Sequence, residues 1–268
     1  MSSQASPAIP SIGDTFGALF VGAVISAVLY GITNLQVIVY YKRYPNDWSL
    51  YRRSVALFWF LDTLHVALCT YGLYYYLIDM YDNLLSALSA PIIWSMRLQI
   101  VVKVWIVVFV QVVYAIRLWK LGRHFHKIIP WFVFLAVAAS LGSGIYVSYE
   151  TYMIPNLVSI SMINTSIYTF FSLIITADFI IAVMMCYYLR KSRADMHFSS
   201  TADLLLGLMQ LVLISGLATR SHKDMQYVAW PKTLIFVAID FILPKLYINS
   251  LLAMCILFFF LLPEVYLH

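Results

Sequence analysis

Charge is scarce in this chain of 268 residues: Asp, Glu, Lys and Arg make up 11% of it, while 63% is hydrophobic. A soluble domain carries about 25% charged residues and under half apolar ones. No aqueous fold of this length hides so much apolar surface in one core. A cytosolic enzyme, a secreted disulfide-held domain and a disordered chain are therefore excluded. Cysteine is scarce as well: Cys69, Cys186 and Cys255 all lie inside apolar runs, so no disulfide framework can be read. The first 15 residues hold neither Lys nor Arg and lack a small-residue cleavage site. They do not read as a signal peptide.

Long apolar runs are what the chain has in abundance. A membrane-crossing helix needs about 20 such residues, and runs at 16–41, 54–78, 98–119, 128–149 and 165–189 meet that length. A last run starts at Thr233 and stays apolar to Leu262 except for Asp240 and Lys245, with a helix expected over 233–252. A shorter run, 204–219, is followed at once by Arg220, His222, Lys223 and Asp224. At 1.5 Å per residue its 16 residues reach about 24 Å, short of a hydrocarbon core of about 30 Å. It crosses only if the bilayer thins or Arg220 snorkels to the interface.

The expectation is an all-α polytopic membrane protein, a seven-helix bundle whose sixth helix is short or distorted. Residues 1–15 form an extracytoplasmic tail, 16–262 the transmembrane domain and 263–268 a short C-terminal tail. The segments after the first, third and fifth runs hold four, four and three Lys or Arg, against one after the second and none after the fourth. By the positive-inside rule the basic segments are cytosolic and the N-terminus lies outside. Arg220, Lys223 and Lys232, after the short run, break that pattern. The net charge of +5 is bunched in these segments, which sets topology and gives no sign of a nucleic-acid partner. The bilayer is the expected partner; protein partners are not legible.

Small residues at Gly22 and Ser26, and at Ser140 and Gly144, are four apart and let helices approach closely. Tyrosines cluster at run ends: Tyr40, Tyr41 and Tyr44, then Tyr74 to Tyr76, then Tyr187 and Tyr188. They read as an interfacial belt.

Polar groups inside the hydrocarbon layer are costly and mark function by default. Asp62 and His65 share a face of the second run. Gln111 lies midway along the third, Asp178 along the fifth and Lys245 along the last, with Asn249 one turn beyond. Together they form a candidate intramembrane polar network, which either fixes helix order or serves a ligand or a proton. Arg97 and Lys103 begin the third run and are expected to snorkel outward. Counting rise per residue puts Lys245, Asp62 and Asp178 all about 18–20 Å from the outer surface. Depth alone does not separate the two acids. If the helices close in a ring, the second neighbours the last, which makes Asp62 the partner of Lys245.

Catalytic and cofactor readings find little support. Gly142-Ser143-Gly144 has no His partner on a facing helix, and His124 and His126 lack thiolate or carboxylate company for a metal. Haem needs histidines on facing runs, and only His65 lies within one. A retinal Schiff base at Lys245 needs a carboxylate counter-ion nearby. Asp240 is five residues away, about 140° round the helix, and faces elsewhere. A G-protein-coupled receptor is suggested by Pro244-Lys245-Leu246-Tyr247 and by Asp62 in the second run. Against it, no acid precedes Arg117 and no outer cysteines exist for a disulfide. No enzyme, cofactor or metal site is expected.

A set of short motifs points to a family: GITNLQ at 31–36, YYKRYPND at 40–47, WFLDTLH at 59–65, YAIRLWKL at 114–121, Ala177-Asp178 with YYLRKSR at 187–193, and LYINSLLA at 246–253. Together these resemble integral membrane proteins of mushroom-forming fungi, grouped only as a domain of unknown function. The resemblance spans roughly residues 11–254. It implies seven helices with an outside N-terminus, and no established activity, substrate or cofactor. Two departures stand out: the family's sixth helix is longer, where this chain has the polar run 219–226, and the family continues into a basic stretch, where this chain is apolar over 255–262. The function expected is receptor-like or sensor-like, with a small or lipidic ligand between helices. The alternatives are a transporter or channel for a proton or small solute, or a structural membrane component.

Overall fold

The computed structural model describes residues 17–45, 49–80, 91–122, 129–155, 164–192 and 235–261. Six helices account for nearly all of them: α1 (Ala18–Arg43), α2 (Ser49–Tyr74), α3 (Trp94–Gly122), α4 (Ile129–Met153), α5 (Asn164–Ser192) and α6 (Ile235–Leu261). There is no strand among the described residues. The expected crossing at 204–219 and both expected tails lie outside them, as does the polar run 219–226.

The helices overrun the apolar stretches that announce them. α2 begins at Ser49 rather than at residue 54, and α3 at Trp94 rather than 98; α6 runs on to Leu261 rather than stopping at 252. Hydropathy marks where hydrocarbon ends, not where helix ends. Arg52 and Arg53, which close the apolar pattern, are good helix formers and extend the helix into the headgroup zone. α2 ends in a π-helical turn, Tyr75–Asp79. Five of the helices are long and apolar enough to cross a membrane, on the stretches Leu19–Arg43, Ser49–Asp79, Trp94–Trp119, Trp131–Met153 and Thr165–Met185. These helix lengths and this composition are consistent with a multi-pass membrane protein.

α3 and α6 take the middle. α3 packs on α2, α4, α5 and α6, and α6 packs most closely on α1 and also on α2 and α3. These two helices carry most of the buried polar side chains, which a position shielded from lipid accommodates. The outer faces carry Phe20, Val28, Leu35, Trp131, Phe132 and Leu135, all exposed on the bare protein. With lipid tails as the surrounding solvent this is the expected arrangement.

Small residues set the closest approaches. A Cβ on Gly22 would stand 2.8 Å from the Ala238 backbone of α6, and one on Gly144 would stand 2.6 Å from Val104 and 2.9 Å from Phe170. Ser26, one turn on from Gly22, donates to the Phe241 carbonyl at 3.2 Å. Gly31 and Gly142 have nothing within 4 Å of a Cβ position and set no approach.

The tyrosine clusters divide by face. Tyr74 and Tyr187 are exposed, as an interfacial belt requires, whereas Tyr40 and Tyr76 are buried. Tyr40 packs edge-on against Tyr41, and the Tyr44 hydroxyl donates to the Ile256 carbonyl at 3.0 Å. Consecutive residues on a helix point about 100° apart. A run of adjacent tyrosines therefore cannot all face lipid headgroups.

Candidate functional site

The polar side chains of α6 each reach a different neighbour. At about 100° per residue, Asp240 and Tyr247 fall on one side of the helix while Lys245 and Asn249 fall on the other. Asp240 pairs with Lys103 of α3, and Lys245 pairs with Asp62 of α2. The Tyr247 hydroxyl donates to Asp178 Oδ2 on α5. Asn249 Nδ2 donates to the Leu29 carbonyl of α1 at 3.1 Å, and Thr33 Oγ1 lies 3.2 Å from Asn249 Oδ1. One helix is thereby held to α1, α2, α3 and α5 by side chains that water would otherwise solvate.

Asp62 and Lys245 are matched in depth by residue counting, and tertiary packing puts them in contact with 0% side-chain exposure on either. Lys245 Nζ also donates to the Asp62 backbone carbonyl at 2.9 Å and lies 5.5 Å from the Tyr30 ring centroid. Asp62 Oδ2 has no hydrogen-bond partner among the described residues. Asp178 joins a different group: Gln111 Nε2 donates to its Oδ1 at 2.9 Å, opposite the Tyr247 contact. The candidate residues therefore form not one cluster but two, with Asn249 apart on the α1 side.

His65 is fully buried, and it lies within electrostatic reach of both Lys245 and Lys103. Its Nδ1 is 3.6 Å from Cys69 Sγ, one turn along α2. Asp62, His65 and Cys69 thus share one buried face of α2, the face on which Asp62 meets Lys245. Among the described residues no three His, Cys, Asp or Glu side chains converge as metal ligands.

Lys103 does not snorkel. It is 4% exposed, pairs with Asp240, and lies 5.2 Å from the Phe171 ring centroid of α5. Proximity to a run's end permits snorkelling only when the side chain faces lipid. Lys103 stands eight residues before Gln111, about 80° round the helix, and so shares its inward half. That azimuth was available in the sequence and is the signal that finds Lys103. Arg97 is half-buried and donates from Nη2 to the Ile154 carbonyl at 3.0 Å, tying α3 to the end of α4. Arg117, at the basic end of the third run, also turns inward: its Nη2 donates to Cys255 Sγ at 2.8 Å, and its guanidinium lies 5.4 Å from the Tyr51 ring centroid.

Tyr247 and Thr33 completed the network without being singled out as polar groups of interest. A hydroxyl inside an apolar run is common, and only the partner it meets gives it weight.

No curated protein and no solved structure matches the chain. One family model does, over the stretch that supplies Asp178 and the whole polar set of α6: residues 174–257 carry a match to DUF6534, a family of unknown function.

Proposed function

We propose that this multi-pass membrane protein is receptor-like or sensor-like, with a small or lipidic ligand seated between helices and α6 as the element that responds. The observation that carries the reading is the four-way attachment of α6 through Asp240, Lys245, Tyr247 and Asn249. A ligand that competes for one of these contacts changes the balance of the others, and a packed helix with discrete partners moves between arrangements rather than deforming smoothly. Differential affinity for the two arrangements is all that a switch requires. The test is thermal unfolding in lipid nanodiscs against a panel of sterols, fatty acids and small amphiphiles. A shift that disappears in Asp62→Asn, with no accompanying solute flux, supports sensing.

The second reading is a transporter or channel for a proton or small solute, and the fully buried His65, three residues from Asp62 on the same face of α2, favours it. Intramembrane Asp and His chains are the usual relays of pumps and transporters. Uptake into proteoliposomes that vanishes in Asp62→Asn would select it over sensing. Neither reading assigns a catalytic step.

The topology that accompanies both is seven crossings with residues 204–219 as the sixth, the N-terminus outside and the basic segments cytosolic. The resemblance to membrane proteins of mushroom-forming fungi and the Lys/Arg asymmetry support it. A cysteine placed at Asn83 should be labelled from outside and one at Asn46 should not. The reverse pattern inverts the orientation.

A further inference from the structure

The buried face of α3 opens with Ser95, Gln99 and Lys103, each four residues after the last. Ser95 is 0% exposed and Gln99 2%. Ser95 Oγ and Gln99 Oε1 have no hydrogen-bond partner among the described residues. A buried polar atom left in that condition costs about 1–3 kcal/mol. Proteins relieve the cost with internal water where two or more polar groups converge.

The spacing suits water. Four residues advance about 6 Å along a helix, close to the span of two hydrogen bonds of about 2.8 Å through one bridging molecule. Ser95, Gln99 and Lys103 are thus successive polar positions along the buried side of α3. The facing wall is α2, which comes close at Gly72: a Cβ there would stand 3.9 Å from Ser95 Oγ and 3.1 Å from Met96 Sδ, so the Met96 side chain packs against this glycine. Next to it Tyr76, in the π-helical turn, packs with Ile93 and Met96 at the start of α3. These positions end on the Lys103–Asp240 pair. Beyond it Ile106, Val107 and Val110 of α3 are 0% exposed and apolar, and they separate the Lys103–Asp240 pair from the next buried polar group of the helix, Gln111.

We propose that the α2–α3 seam is a one-sided aqueous inlet: a file of water molecules that enters past Ser95 and Gln99 and hydrates the Lys103–Asp240 pair, giving that pair proton exchange with the compartment that holds the α2–α3 loop. The inlet stands on these unpartnered groups and their spacing, and it is independent of whether the protein senses or transports. Its ligand is water, and its cargo at most a proton. Access from one side only is its defining property.

The test is cysteine accessibility in sealed vesicles. In a background with Cys69, Cys186 and Cys255 replaced, single cysteines are introduced as Ser95→Cys, Gln99→Cys and Val107→Cys. A small membrane-impermeant methanethiosulfonate is then applied from each side. Asn83→Cys, in the segment between α2 and α3, reports the side on which that segment lies. From that side Ser95→Cys and Gln99→Cys should react at least about tenfold faster than Val107→Cys, since thiol reactivity follows access to water. Equal rates at Gln99 and Val107, or modification of Gln99→Cys from the opposite side, overturn the inlet. Should the replacements fail to fold, a solvent-resolving map of the unaltered protein decides. Density between Ser95 Oγ and Gln99 Oε1 supports the inlet, and a dry seam removes it.

Discussion

Removing one partner of the Lys245–Asp62 pair should hurt the protein more than removing both. Both side chains are fully buried, so neither charge can recover solvation by a rotamer change. In Asp62→Asn the ammonium keeps the Asp62 carbonyl and gains only a neutral amide oxygen. In Lys245→Met the carboxylate loses the ammonium that pairs with it, and Oδ2 has no hydrogen-bond partner among the described residues. Breaking a buried pair in this way costs about 3–5 kcal/mol, whereas replacing both partners by neutral groups is often close to neutral. An independent ceiling agrees. A lone group can neutralise instead, and at pH 7 that costs about 4 kcal/mol for a carboxyl of ordinary pKa 3.9 and about 5 for an amine of 10.4. Ordinary interhelical hydrogen bonds average only about 0.6 kcal/mol, so the charge term dominates. Unfolding in mixed micelles should be followed for Asp62→Asn, Lys245→Met and the double variant. The double should be more stable than either single, with a coupling of several kcal/mol. Additive losses would show that the two charges are not partners, and Asp178 would take the place of Asp62.

The Lys103–Asp240 pair should behave alike in the same assay, Lys103→Met and Asp240→Asn each costing about 3–5 kcal/mol and the double less; a neutral Lys103→Met would return that lysine to the lipid interface. Tyr247→Phe removes a donor from Asp178 and should cost about 1–3 kcal/mol, with little further loss when Asp178→Asn is added. Gly22→Leu forces a side chain into the Ala238 backbone and should lower stability by about 1–3 kcal/mol or more. Gly31→Ala, with open space around it, should stabilise α1 by about 0.5–1 kcal/mol; equal effects at both glycines would refute the packing described for Gly22.

Sequence by itself determined the solvent of this protein and the depth of its polar groups. Long runs of Val, Ile, Leu and Phe with so few charges leave no choice but lipid, and rise per residue converts position in a run into depth. By that measure Lys245, Asp62 and Asp178 are level. Depth left both acids open, because hydropathy is a coordinate along the membrane normal and carries nothing about azimuth; the expectation of a ring of helices favoured Asp62, and the tertiary structure pairs Lys245 with it. Packing of α6 between α2 on one side and α3 and α5 on the other sent Lys245 to Asp62 and left Asp178 to Tyr247 and Gln111. Lys103, which its place near the start of a run assigns to the interface, is drawn inward by α6 with Asp240; there the spacing to Gln111 carries the azimuth that hydropathy omits. Which way a residue faces is decided by the neighbour that buries it, and that neighbour lies far away in the chain.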